Sequence, residues 1–91
     1  MEYKNLDLST EVVHGHYDLE LKVGNLYDIH YGIHQGVYEY VGKTTKESLK
    51  YKWDSPGQHL FRNHKTGKIT FGYYGYTSPY EFSSIVKPHK D

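Results

Sequence analysis

Apolar and polar residues alternate with a period of two over most of this chain, and glycines interrupt the alternation every eight to twelve residues through the middle. That combination predicts strands joined by short turns. Val12 to Val23 alternates around Tyr17, Leu19, Leu21 and Val23, opposed to His16, Asp18, Glu20 and Lys22, and is expected to be the longest strand. After the turn signal Gly24-Asn25 the pattern resumes at Leu26 to Tyr31, with Leu26, Asp28 and His30 opposed to Tyr27, Ile29 and Tyr31. Gly32 to Gly36 reads as a hairpin loop leading into Val37 to Val41, where Tyr38 and Tyr40 share a face. Gln58 to Asn63 and Lys68 to Tyr74 form a hairpin around His64-Lys65-Thr66-Gly67, with Gly67 supplying the left-handed residue. Gly75 to Pro79 is a turn, and Phe82 to Pro88 is a closing strand whose proline belongs at a sheet edge. The segment Gly42 to Gly57 is polar and charged and reads as an excursion off the sheet. Within it Thr44 to Leu49 offers one helical turn at most, capped by Thr44 with Glu47 three residues on.

A length of 91 residues allows one domain, residues 1–91, with one core. The aromatic share is 16% against 36% apolar overall, and 11 tyrosines outnumber 3 Phe and 1 Trp. Tyrosine therefore supplies most of the buried area and suits half-buried sheet faces and contact surfaces. The chain has no cysteine, which removes disulfides, thiolate metal sites and thiol nucleophiles together and suits a reducing compartment. The acidic, polar start and the lack of a long apolar run predict a soluble protein without export signal or membrane span, in the cytoplasm. Residues 1–42 carry two cations against seven carboxylates, and residues 43–91 carry nine against four. The zero net charge thus conceals an asymmetry suited to docking or to weak self-association, so a monomer or weak homodimer is expected.

The order "VGNLYDI", short loop, "GVYEYVGK", long excursion, "HLFRNHKTGKITF" hairpin and terminal "SSIVKP" resembles the small barrel of the Src-homology (SH3-like), KOW and Tudor type. The resemblance implies an all-β fold, a five- to six-stranded barrel over residues 21–88 with residues 1–20 as an N-terminal strand extension. It also implies binding of peptides, proteins or nucleic acid in place of catalysis, without choosing among them. The Ala-Leu-Tyr-Asp-Tyr segment by which Src-homology domains take proline-rich ligands is missing, as is a clear KOW glycine. The small, Tyr-rich, cysteine-free chain also resembles bacteriophage accessory proteins, which implies a stoichiometric inhibitor or modulator of a host protein, acting in the host cytoplasm.

Catalysis is not expected: the serines at 9, 48, 55, 78, 83 and 84 lie in no nucleophile elbow, no phosphate loop or dinucleotide fingerprint occurs, and no cofactor is implied. The leading expectation is a protein partner held by Tyr51, Trp53, Arg62, Tyr73, Tyr74, Tyr76 and Tyr80, aromatic anchors with a charged rim. The alternative is nucleic acid held by Lys43, Lys46, Lys50, Lys52, Arg62, Lys65 and Lys68, with Tyr51, Trp53, Phe61 and His64 interleaved for stacking. Zero net charge weighs against it, because counterion release favours a basic excess. Seven histidines raise metal binding, with His14 and His16 on one strand face and His30 and His34 flanking a loop. No third ligand emerges, and surface histidines that titrate near neutrality are the simpler account, so no metal is assigned.

Overall fold

Turn chemistry delimits most strands of the computed structural model, which describes residues 3–14, 18–49, 55–73 and 79–90, with side chains of the C-terminal helix described from Phe82 onward. The elements are β1 (Glu11–Val13), β2 (Leu19–Leu21), β3 (Leu26–Tyr31), β4 (His34–Lys43), β5 (His59–Asn63), β6 (Ile69–Tyr73), α1 (Pro79–Ile85) and β7 (Val86–Pro88). Strands β6-β5-β4-β3-β7 form one antiparallel sheet, and β1-β2 form a second of two strands. The architecture is mostly β, and the five-stranded sheet is open, ending at β6 and β7.

The expected strand from Val12 to Val23 is instead a hairpin: Val13 pairs with Leu19, Val12 with Glu20 and Glu11 with Leu21. Partners in this hairpin share odd or even numbering, so the inside-outside alternation passes through the turn without slipping. Val13, Leu19 and Leu21 are all buried, as a single strand would also demand. Periodicity cannot distinguish the two arrangements.

The β3–β4 hairpin is tighter than expected. Tyr31 pairs with His34, which leaves only Gly32 and Ile33 in the turn. Gly32 takes φ +57° while Ile33 has no positive φ, as a type II′ turn requires. The β5–β6 hairpin is as expected: Gly67 has φ +74°, and the Asn63 side-chain oxygen accepts from the Lys65 and Thr66 amides. In the excursion the helical turn is capped by Thr45, one residue later than expected. Thr45 and Ser48 exchange side-chain to backbone hydrogen bonds of 2.6 and 3.2 Å, with serine in the place assigned to Glu47. Thr44 instead ties the feet of the excursion together, bonding to Gln58 through both backbone and hydroxyl.

The C-terminus departs most from expectation. Phe82 to Ile85 is helical, and only Val86–Pro88 is strand. Proline at the helix start is favourable because its missing N–H would be unpaired there anyway. Phe82, Ile85 and Val86 follow one another at i, i+3, i+4, and all three are buried.

The core lies on one face of the large sheet. Tyr27 and Ile29 of β3, Tyr38 and Tyr40 of β4, Phe61 of β5, Phe71 of β6 and Val86 of β7 are packed beneath the β1–β2 hairpin and α1. Phe61 is central, with ring centroids of Tyr27, Tyr40, Phe71 and Phe82 at 5.3 to 6.4 Å. Tyrosine can serve in this core because its hydroxyls are paired: Tyr27 donates to the Glu20 carbonyl at 2.6 Å and accepts from the Lys22 amide at 2.9 Å.

The N-terminal segment reaches the large sheet at the far end of β4. Asp7 and Lys43 exchange both backbone hydrogen bonds, at 2.8 and 3.0 Å. Gly42 makes the approach possible. It sits at a β-bulge with φ +129°, and a Cβ there would lie 3.0 Å from the Asp7 carbonyl oxygen. The helix α1 has seven residues, and no helix among the described residues is long and apolar enough to cross a membrane.

Candidate protein-binding surface

Odd-numbered positions of β3 face the core, yet the strand outruns it. Tyr27 and Ile29 are buried, whereas Tyr31, next in the series, is 41% exposed. Its ring stands edge-on to Phe71 at 6.0 Å and to Tyr73 at 6.1 Å. Tyr73 ends β6 half-buried, stacked on Phe82 at 5.0 Å and nearly parallel to Phe71. His34 lies with its ring 5.3 Å from that of Phe71. Beyond them, at the tip of the type II′ turn, Ile33 is 93% exposed. Tyr31, His34 and Tyr73 thus make an aromatic corner packed on Phe71 and Phe82, with Ile33 exposed at the adjoining turn.

Of the residues expected to hold a protein partner, Tyr73 belongs to this corner and Arg62 does not. Arg62 projects from the opposite face of the sheet, where its guanidinium lies 3.6 Å from Glu39, its cross-strand neighbour. Tyr51, Trp53, Tyr74 and Tyr76 lie outside the described residues, as does the side chain of Tyr80 in α1. Tyr31 and Ile33 were not anticipated. The signal was present in a Gly-Ile turn too short to bury its isoleucine.

The basic residues do not converge. Lys43 is bound to Glu11 at 3.0 Å, and Lys46 is exposed in the turn beyond β4. Lys65 and Lys68 are exposed at the opposite end of β5, and Lys50 and Lys52 lie outside the described residues. Among the histidines, His14 contacts Asp18 at 2.9 Å across the hairpin mouth, both exposed, and His16 lies outside the described residues. His30 pairs with Gln35 and faces away from the core, whereas His34 pairs with Tyr31 and faces toward it, so the β3–β4 hairpin keeps them apart. No group of three His, Asp or Glu suited to a metal occurs among the described residues.

One titratable cluster escaped the sequence reading. His59 is 3% exposed, and its Nδ1 lies 3.1 Å from the Tyr40 hydroxyl. Its Nε2 faces a Glu11 carboxylate oxygen at 3.8 Å, the same oxygen that Lys43 contacts at 3.0 Å. The arrangement suits a neutral imidazole that accepts the Tyr40 proton at Nδ1 and keeps its own on Nε2 toward Glu11. Burial pushes the His59 pKa down to about 4 against the pull of Glu11, and burial likewise raises that of Tyr40. The signal was parity, since His59 shares the alternation of Phe61 and must face inward with it. Comparison with protein-family models, with curated proteins and with solved structures gives no match to this chain, so its own residues carry the functional reading.

Proposed function

We propose that this chain is a non-catalytic binding module that engages a protein partner through the corner formed by Tyr31, Ile33, His34 and Tyr73. The observation that carries the reading is Ile33, 93% exposed on a two-residue turn whose flanking residues Tyr31 and His34 pack on Phe71. An isoleucine so exposed gains free energy by entering an apolar pocket, and a rigid hairpin loses little entropy in presenting it. The tyrosines beside it are amphipathic anchors of the kind enriched at interface centres. In this reading the sheet is one wall of a small SH3-like barrel, and the protein, a monomer or weak homodimer, acts by stoichiometric binding to a host protein, as the phage-like resemblance implies.

The test is a pull-down from native lysate, with and without nuclease, using wild type and Ile33→Asp. The expected result is a nuclease-resistant protein captured by wild type and lost in a variant with an unchanged circular dichroism spectrum. Capture that persists in Ile33→Asp overturns the surface, and capture abolished by nuclease overturns the partner class. The nucleic-acid reading draws support from the exposure of His64, Lys65 and Lys68 in the β5–β6 turn. It loses support from the carboxylates that engage Arg62 and Lys43.

A further inference from the structure

We propose that residues 3–11 form a proton-sensitive latch, in which Glu11 closes the buried His59–Tyr40 pair from solvent and proton uptake at His59 frees the segment from β4. The inference concerns regulation of the fold and stands apart from the partner-binding surface.

The latch has three points of attachment. Thr45 donates its hydroxyl to the Asn5 carbonyl at 2.7 Å, Asp7 and Lys43 exchange backbone bonds, and Glu11 reaches Lys43 and His59. The Asp7–Lys43 pair is an isolated bridge, and Glu11 is the end residue of the short β1–β2 ladder, where it pairs with Leu21. The other neighbours of His59 are harder to move. Tyr40 and Lys43 stand on the central strand β4, Tyr73 is its cross-strand partner on β6, and α1 contributes Phe82, fully buried with its ring 5.4 Å away.

A proton on His59 changes this site in two ways. Nδ1 turns from acceptor to donor, so the Tyr40 hydroxyl loses the acceptor it holds at neutral pH. A second cation also appears beside Lys43, so that one Glu11 carboxylate must serve both, while the imidazolium itself stays enclosed at 3% exposure. Lifting residues 3–11 admits water to the imidazolium and breaks no strand of the large sheet. Asp7 does not compete as the titrating group between pH 7 and 5, because the Ser9 amide holds its carboxyl below the ordinary value.

If His59 titrates at about 4 closed and at its ordinary 6.5 open, the opening equilibrium rises about 20-fold from pH 7 to pH 5. Amide hydrogen exchange by NMR on the full chain, corrected for intrinsic rates, reads this directly. The Asp7 and Lys43 amides should exchange through an opening of lower free energy than that of the β5 amides and lose about 20-fold in protection between these pH values, and His59→Phe should abolish the loss. Unchanged Asp7 and Lys43 protection, protection at those amides equal to that of β5, or a loss that persists in His59→Phe overturns the latch. Should His59→Phe fail to fold, the wild type decides alone: the protection loss must level off at the pH where the His59 ring resonances titrate, and a loss that runs on unchanged through that pH overturns it.

Discussion

Removing one oxygen from Tyr27 tests how a core built on tyrosine satisfies its polar atoms. Tyr27 is 1% exposed, and its ring stands edge-on to Phe61 at 6.0 Å, contacts that Tyr27→Phe retains. The hydroxyl bridges the Glu20 carbonyl and the Lys22 amide, two groups on the edge of β2 that faces away from β1. It thus occupies the place a neighbouring strand would take, and burial raises its pKa accordingly. Its loss strands one backbone donor and one acceptor, at roughly 1 to 3 kcal/mol for a buried group. Both border an open groove that water can enter, so about 2 kcal/mol is expected for the pair. At a slope of about 1 kcal/mol per M, the low end appropriate to a short chain, the urea midpoint falls by about 2 M with the slope unchanged. The Lys22 amide should lose exchange protection in parallel. A loss under about 0.5 kcal/mol, or an unaltered Lys22 amide, refutes the claim that the hydroxyl stabilises the β2 edge.

Gly42→Ala meets both a left-handed φ of +129° and the Asp7 carbonyl at 3.0 Å, whereas Gly24→Ala meets only φ +93° in open space. Thermal melts should show Gly42→Ala costing more, with about 1 kcal/mol of strain common to both and Asp7 exchange protection lost only in the former. Phe61→Ala removes the ring at the centre of the core and should cost about 3 to 5 kcal/mol in urea unfolding. Urea stability should also depend on pH through His59. Its folded pKa is lowered, so the unfolded chain binds the proton more readily, and stability is fully present above about pH 6.5 and lost as pH falls toward 4. That residue contributes a slope of at most about 1.4 kcal/mol per pH unit, and comparison with His59→Phe isolates it.

The alternation of residues by itself determined how β3 and β4 divide between two faces, because a pleated strand offers only two. Tyr27, Ile29, Tyr38 and Tyr40 are buried together on the faces their spacing grouped, whereas β5 buries His59, Leu60 and Phe61 in succession. Glycine determined the turn at Gly67, since a left-handed φ is a local property. Tertiary structure decided what alternation leaves degenerate. Strand and hairpin share one parity across Val13 and Leu19, and only the partner of Tyr27, with its hydroxyl on β2, selects the fold-back. Phe82, Ile85 and Val86 suit a helical spacing that three residues are too few to establish, and burial against Phe61 and Ile29 resolves it. The candidate surface follows the same division. Parity places Tyr31 and Tyr73 on the core side, but only the extent of the covering layer determines that Tyr31 is left partly exposed and His59 enclosed. Burial at the end of a strand is a property of its neighbours, and those are brought together from distant parts of the chain, as the Asp7–Lys43 bridge illustrates.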